Sequence, residues 1–354
     1  MSATPLSRSH DDDDEEYSQA SAFPVAKRPK LCAETTDDMQ TYIELGLPIN
    51  QALTTSYTFF SPLPEALDSA DADDGFVLGV DEAGRGPVLG PMVYATCFCR
   101  ESYYEQLGSV GFADSKQLTE EQRERLFLKL QTAEIRQHTG WSIRCISPQD
   151  ISQSMLRRAK TSLNALAHDA TIQLLHDAIE RGVRVRKVFV DTVGPPATYQ
   201  KKLQELFPQI EITVAKKADS IYPIVSAASI CAKVTRDKHL ENWVFAEPML
   251  ESLSTKYGSG YPGDPNTIKW LRESLDPVFG YPGIIRFSWS TCKKLLDECA
   301  ARVSWADDED DAPKNAKLKS RYFVRSTKDA AAADSRQRSK FFNRHKAIVL
   351  ASSF

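Results

Sequence analysis

The sequence predicts an α/β fold, a β-sheet flanked by helices. Three observations carry this. Short apolar, β-prone runs recur at residues 76–80, 92–99, 141–146, 185–191 and 210–215. Helical stretches with recognisable caps and proline starts lie between and after them. Two of the strands run straight into carboxylates, Asp81-Glu82 and Asp191, and strand ends on one edge of an α/β sheet are where such folds assemble their sites.

The chain has 354 residues, enough for one large domain or two smaller ones with a substantial core. Its 42% hydrophobic and 26% charged residues are ordinary for a soluble globular protein. No apolar run reaches the ~18 residues of a membrane span, so no membrane association is expected. The acidic run Asp11 to Glu16 is unlike a secretory signal. Seven cysteines, an odd number without a Cys-x-x-Cys pair, read as reduced thiols and not as a disulfide framework or zinc site. The net charge of −4 conceals an asymmetry: residues 1–75 carry −11, residues 76–300 carry +2 and residues 301–354 carry +5. The acidity therefore belongs to the leader. The basic tail, Lys314 to Lys346, could touch nucleic acid or another protein, or be simply solvated.

In chain order, residues 1–70 are polar, weakly periodic and expected to be disordered. Within them, Lys27-Arg28-Pro29-Lys30, flanked by prolines, resembles a nuclear-import signal, so a nuclear location is expected. The run Phe76 to Val80 then delivers Asp81 and Glu82, one to each face of the sheet. A covered sheet would bury one of them, and a divalent cation is a natural partner for it. The spacing Gly84-x-Gly86-x-x-x-Gly90 mimics a phosphate loop, but Pro87 and Pro91 forbid the helix such a loop opens. The stretch is a strand, a glycine turn and a strand.

Asp114 or Ser115 can cap a helix from about Thr119 to Thr132, with Thr119 and Gln122 spaced like a capping box. Lys116, just ahead of it, is placed either for a phosphate contact or in an exposed capping loop. Helices follow from Pro148 to about Arg158 and from Leu163 to Arg181; His168 and His176 on the second lack companion ligands. After the strand ending at Asp191, a helix from about Thr198 to Phe207 and a short strand lead to Asp219. This acid stands at the start of a long helix from about Tyr222 to Val244, where capping alone would explain it. Ser226, Ser229, Lys233 and Arg236 form one polar stripe on that helix. A loop with Tyr257 and Tyr261 and two further helices, from about Asn266 and Ser290, complete the globular part, and Asp307 to Asp311 is an acidic break. The domains expected are thus a leader, 1–70, a catalytic domain, 71–305, and a basic tail, 306–354.

Asp81, Glu82, Asp191 and Asp219 offer four oxygen ligands without clustered Cys or His, a set that selects a hard cation such as Mg²⁺ or Mn²⁺. Two such ions ~3.5–4 Å apart can clamp the attacking and leaving oxygens of a phosphodiester. With Arg85, Lys116 and the Ser/Lys/Arg stripe nearby in sequence logic, the acids favour phosphoryl chemistry on a polyanion.

The motifs that carry these residues resemble the ribonuclease HII family, in order and spacing, over about residues 76–295. They are Val80-Asp81-Glu82-Ala83-Gly84-Arg85-Gly86-Pro87, Asp114-Ser115-Lys116, Val190-Asp191-Thr192-Val193-Gly194, Lys217-Ala218-Asp219-Ser220 and the run from Ser226 to Asp237. Tyr257-Gly258-Ser259-Gly260-Tyr261-Pro262 and Arg286-Phe287-Ser288-Trp289 look like the eukaryotic type 2 branch. The resemblance implies a ribonuclease H-like mixed β-sheet with helices on its faces and a helical C-terminal extension. It implies cleavage of the RNA strand of RNA/DNA hybrids and incision 5′ of single ribonucleotides in duplex DNA, leaving 3′-hydroxyl and 5′-phosphate ends. The four acids would hold two metal ions, the Gly84-Arg85-Gly86 backbone would contact the 2′-hydroxyl, and Tyr261 would sense that group at the RNA-to-DNA junction. Lys116, Ser229 and Arg236 would be phosphate-side or supporting residues. Two accessory subunits would complete a heterotrimer, docking largely through the C-terminal part. A sliding-clamp contact is left open at Ser320-Arg321-Tyr322-Phe323, which has an aromatic pair but no glutamine in register. The competing readings are a catalytically silent protein that binds hybrids or serves assembly, and a type 1 or integrase-like nuclease. The intact acids oppose the first, the glycine turn and tyrosine loop the second.

Overall fold

The computed structural model describes residues 37–64, 74–112, 118–250 and 253–301. Lys116, the basic cluster at 27–30, the tail beyond 301 and the possible clamp motif lie outside them. The chain forms two compact units, Met1–Thr41 and Tyr42–Phe354, and the sheet belongs wholly to the second.

Helix α1 (Asp37–Glu44) precedes strand β1 (Tyr57–Phe60), the pair β2 (Phe76–Ala83) and β3 (Met92–Arg100), and helices α2 (Tyr104–Ser109), α3 (Glu120–Leu130) and α4 (Ala133–Arg136). Then come β4 (Thr139–Ile146), α5 (Pro148–Leu156), α6 (Leu163–Glu180), β5 (Val185–Asp191), α7 (Pro196–Leu206) and β6 (Glu211–Ala215). Helices α8 (Pro223–Glu241), α9 (Pro265–Glu273) and α10 (Ser290–Cys299) follow. No helix among the described residues is long and apolar enough to cross a membrane.

Six strands form one mixed sheet in the order β1-β4-β3-β2-β5-β6. The first four are antiparallel neighbours, and β5 and β6 run parallel to β2. The expected opening hairpin is present, and Asp81 and Glu82 lie inside β2, which continues to Ala83, opposite Ala95 and Tyr94 of β3. Alternation divides β2 between two layers. Phe76, Leu78 and Val80 share a core with Leu174 and Leu175 of α6 and Leu203 of α7. On the other face Gly79 meets α8 without a side chain between them: a Cβ there would stand 2.6 Å from the Val225 backbone nitrogen. Ala227, Ala228 and Ala232 are fully buried and let α8 lie this close to the sheet.

Three expectations need correction or narrowing. Residues 1–70 do not all lie outside the fold. Tyr57–Phe60 pairs with β4, Phe59 packs its ring 5.1 Å from that of Trp141, and Leu47, Ile49 and Leu53 are buried. A four-residue edge strand is held by its partner strand, so its own sequence is too short to announce it. The cap of helix α3 is Thr119, in the box its spacing from Gln122 suggested: Thr119 accepts from the Gln122 backbone N–H, and the Gln122 side chain accepts from Thr119 N–H; Asp114 and Ser115 lie outside the described residues. Asp219 is not in the first turn of α8. It sits in a separate 3₁₀ turn, Ala218–Ser220, because Pro223 occupies the first turn of α8 and starts the helix there.

The helical C-terminal extension closes a second core over the glycine turn. Val88 and Leu89 bury against Trp270 and Leu271 of α9, Leu295 of α10 and Ile284 and Ile285, and Leu89 forms a β-bridge with Ile285.

Candidate active site

Parallel pairing brings two of the acids side by side. Val80 is in register with Val190, so Asp81 and Asp191 occupy adjacent places on neighbouring strands. Glu82 completes the group: Asp81, Glu82 and Asp191 each offer an oxygen within 4.8 Å of the other two. Asp219 is not part of this tight set. Its neighbour Ala218 donates its backbone N–H to Asp191 Oδ1 at 2.9 Å, which ties the 3₁₀ turn to the end of β5. Asp81 is 5% and Asp219 3% exposed.

Closely spaced buried carboxylates cannot all ionise without help. Burial pushes the Asp81 carboxyl up to about 6; Lys233 and the Ser229 hydroxyl oppose the rise, and Asp191 adds to it. Burial pushes Glu82 up to about 8, with Asp81 and Asp191 adding, against Arg85 and Lys233. Glu82 Oε2 is buried with no hydrogen-bond partner among the described residues. Clustered oxygens, strained charges and an orphaned acceptor fit a hard divalent cation.

The polar stripe of α8 turns toward the sheet: Ser229 and Lys233 face this cluster, and Arg236 faces the glycine turn. Lys233 Nζ donates to Ser229 Oγ at 2.7 Å, and Ser229 hydrogen-bonds Asp81. Ser229 is fully buried and Arg236 is 8% exposed, so both are placed to support the site from within the fold. Arg236 donates from Nε to the Pro91 carbonyl at 3.3 Å and from its Nη2 to Leu89 O at 3.4 Å, holding the far limb of the glycine turn.

The turn itself is held from the C-terminal extension. Arg286, fully buried, donates to Gly84 O at 2.6 Å, Arg85 O at 3.2 Å, Pro87 O at 3.0 Å and Gly90 O at 2.8 Å. Trp289 Nε1 donates to Gly86 O at 3.1 Å, and the Arg286 guanidinium lies 4.9 Å above the Trp289 ring. In a trans peptide the N–H opposes the preceding carbonyl. With the carbonyls of Gly84 and Arg85 turned inward to Arg286, the N–H groups of Arg85 and Gly86 are what the turn offers outward. Gly84 has φ +78, and a Cβ there would come 2.6 Å from Pro91 O as well as overlapping Arg236, so only glycine fits. Arg85 hydrogen-bonds Asn164 at the start of α6. Tyr261, 55% exposed, lays its ring over Gly86.

The model of one family, Ribonuclease HII, matches residues 78–292. The chain belongs to the ribonuclease HII family. It is 55% identical over 251 residues to a Ribonuclease H2 subunit from Bos taurus, covering 71% of this chain and 83% of that one. To the corresponding Ribonuclease H2 subunit from Homo sapiens it is 51% identical over 248 residues, covering 70% and 82%. The crystal structure of the ribonuclease H2 from Pyrococcus horikoshii OT3 superposes with a TM-score of 0.52 at 35% identity, covering 63% of this chain and 98% of that one. This ribonuclease HII-family chain is thus a ribonuclease H, an endonuclease of RNA/DNA hybrids, and it groups with the eukaryotic Ribonuclease H2 branch.

Arg286, Trp289 and Asn164 are the site residues that local reading did not assign. Arg286 and Trp289 lie about 200 positions from the carbonyls they hold, and no local pattern announces such a pairing. Lys233 was legible only as four residues beyond Ser229 on one helix face.

Proposed function

We propose that this ribonuclease H incises duplex DNA on the 5′ side of a single embedded ribonucleotide as well as cutting the RNA strand of long hybrids, leaving 3′-hydroxyl and 5′-phosphate ends. The observation that carries the reading is the pairing of an exposed Tyr261 ring with a glycine turn whose outward N–H donors lie beside the carboxylates. One 2′-hydroxyl can accept from the turn and meet the tyrosine at once, so a lone ribonucleotide suffices for recognition.

Asp81, Glu82, Asp191 and Asp219 would hold two Mg²⁺ or Mn²⁺ ions. When bound, such ions supply positive charge to the attacking and leaving oxygens of the phosphodiester. The chain's own part is positional. Ser229 and Lys233 orient Asp81, Ala218 orients Asp191, and Arg286 fixes the turn against the acids. The relatives are named as subunits, which supports assembly with partner chains; two accessory subunits docking through the C-terminal part belong to this reading. A nuclear role in replication and ribonucleotide excision, directed by Lys27-Arg28-Pro29-Lys30, and a sliding-clamp contact near Tyr322-Phe323 belong to the same reading.

The test is an Mg²⁺-dependent assay on a labelled duplex holding one ribonucleotide beside a continuous hybrid. Incision on the 5′ side of the ribonucleotide, with an end that a polymerase extends, is expected. A chain that cuts the hybrid and leaves the lone ribonucleotide intact would defeat the proposal.

A further inference from the structure

We infer that Lys217 is a substrate-contacting residue whose ammonium takes a backbone phosphate of the nucleic acid beside Asp191 and Asp219, an inference that rests on the nuclease reading above. Among the described residues, Lys217 is the one non-glycine residue with a positive φ, 54° with ψ 45°. That conformation strains any residue bearing a Cβ, and observed strain of this kind gathers at functional sites. The surroundings impose it. Lys217 O accepts from Ser220 N–H at 3.0 Å and from Ser220 Oγ at 2.8 Å. The next residue, Ala218, is fully buried and gives its N–H to Asp191.

Glycine would meet this backbone demand without strain. A lysine stands there instead, exposed beside an exposed Lys216, and neither makes an ion pair among the described residues. The sheet order supplies the rest. Arg85 follows β2 and the two lysines follow β6, with β5 and Asp191 between them. Positive charge therefore brackets the carboxylates from both sides across two strand spacings, roughly 10 Å. A polyanionic strand laid over these strand ends meets a cation on either side of the acids.

Lys217→Gly separates the backbone role from the charge, because glycine keeps the turn and loses the ammonium. The full chain, in the assembly in which it purifies, is titrated with a labelled RNA/DNA hybrid in chelator over a range of salt. For Lys217→Gly the expected result is an unchanged or higher melting temperature and about 5- to 10-fold weaker binding near 0.1 M salt, with a log-log salt slope shallower by about 0.9, one phosphate contact. Lys217→Arg should restore both. Full affinity and an unchanged slope in Lys217→Gly would overturn the inference while leaving the nuclease reading intact, and a lowered melting temperature would assign the side chain to the fold instead. No hybrid binding by the unsubstituted chain in chelator, together with no Mg²⁺-dependent cleavage of the hybrid, would overturn both.

Discussion

Arg286 and Gly84 are joined by a 2.6 Å hydrogen bond across 202 residues of sequence. The bond ties the C-terminal extension to the turn that follows the catalytic strand. Three more carbonyls of the same turn accept from the same guanidinium. The extension therefore does more than cover a core: it sets the direction of the peptide groups of the glycine turn.

Lysine cannot reproduce that fork. Arg286→Lys leaves buried carbonyls unsatisfied, and at ~1–3 kcal/mol for each lost partner the expected destabilisation is about 3 kcal/mol or more. Cleavage should fall with it, because the turn loosens. Urea unfolding and hybrid cleavage, measured on one preparation, check this; a variant with wild-type midpoint and turnover would contradict it.

Asp191→Asn should uncouple chemistry from folding. The asparagine oxygen can still accept from Ala218 N–H, so the turn carrying Asp219 stays in place. Losing one charge from the carboxylate set proposed to hold the metals should lower single-turnover cleavage by ~100-fold or more, since electrostatic groups at such centres contribute on that scale. Asp81→Asn should behave alike. Circular dichroism melts taken beside the kinetics distinguish this from unfolding.

Tyr261→Ala should slow incision at one embedded ribonucleotide more than cleavage of a long hybrid. The ring rests on Gly86 and is more than half exposed, so its loss should cost little stability, within ~0.5 kcal/mol as for other surface substitutions. The quantity to compare is the ratio of kcat/KM on the two substrates. Equal proportional losses, with a lowered Tm, would make Tyr261 a packing residue only.

The pH dependence of stability without divalent cations follows from Glu82. Its folded pKa, about 8, lies above that of an exposed carboxylate. The native state therefore holds a proton that the unfolded chain has already released, and stability falls as pH rises toward and through 8. His239 acts with the opposite sign but lower down: burial depresses it to about 4, so its effect is confined below the ordinary histidine range. Between pH 6.5 and 8.5 in chelator, Tm should fall, and Glu82→Gln should shrink the fall. Added Mg²⁺ should reverse it in the unsubstituted protein. An identical pH slope in Glu82→Gln would remove Glu82 as its source.

By itself the sequence determined five of the six strands and their order of appearance, because alternation, apolar runs and proline breaks are local. Val185–Asp191 appears as the residues predict it, and β2 and β3 pair as the glycine turn implies. The acids were legible for the same reason: each ends or closely follows a run that local pattern defines. What only the tertiary structure decided depends on partners far along the chain. Tyr57–Phe60 is a strand because β4 offers an edge to it. The stripe of Ser229, Lys233 and Arg236 faces inward because Gly79 admits the backbone of α8 to the sheet. Arg286 is a keystone of the glycine turn because the extension folds back over Val88 and Leu89. Such contacts follow from which surfaces the completed core brings together, and hydrogen bonds spanning about 200 residues leave no periodicity in the sequence to read.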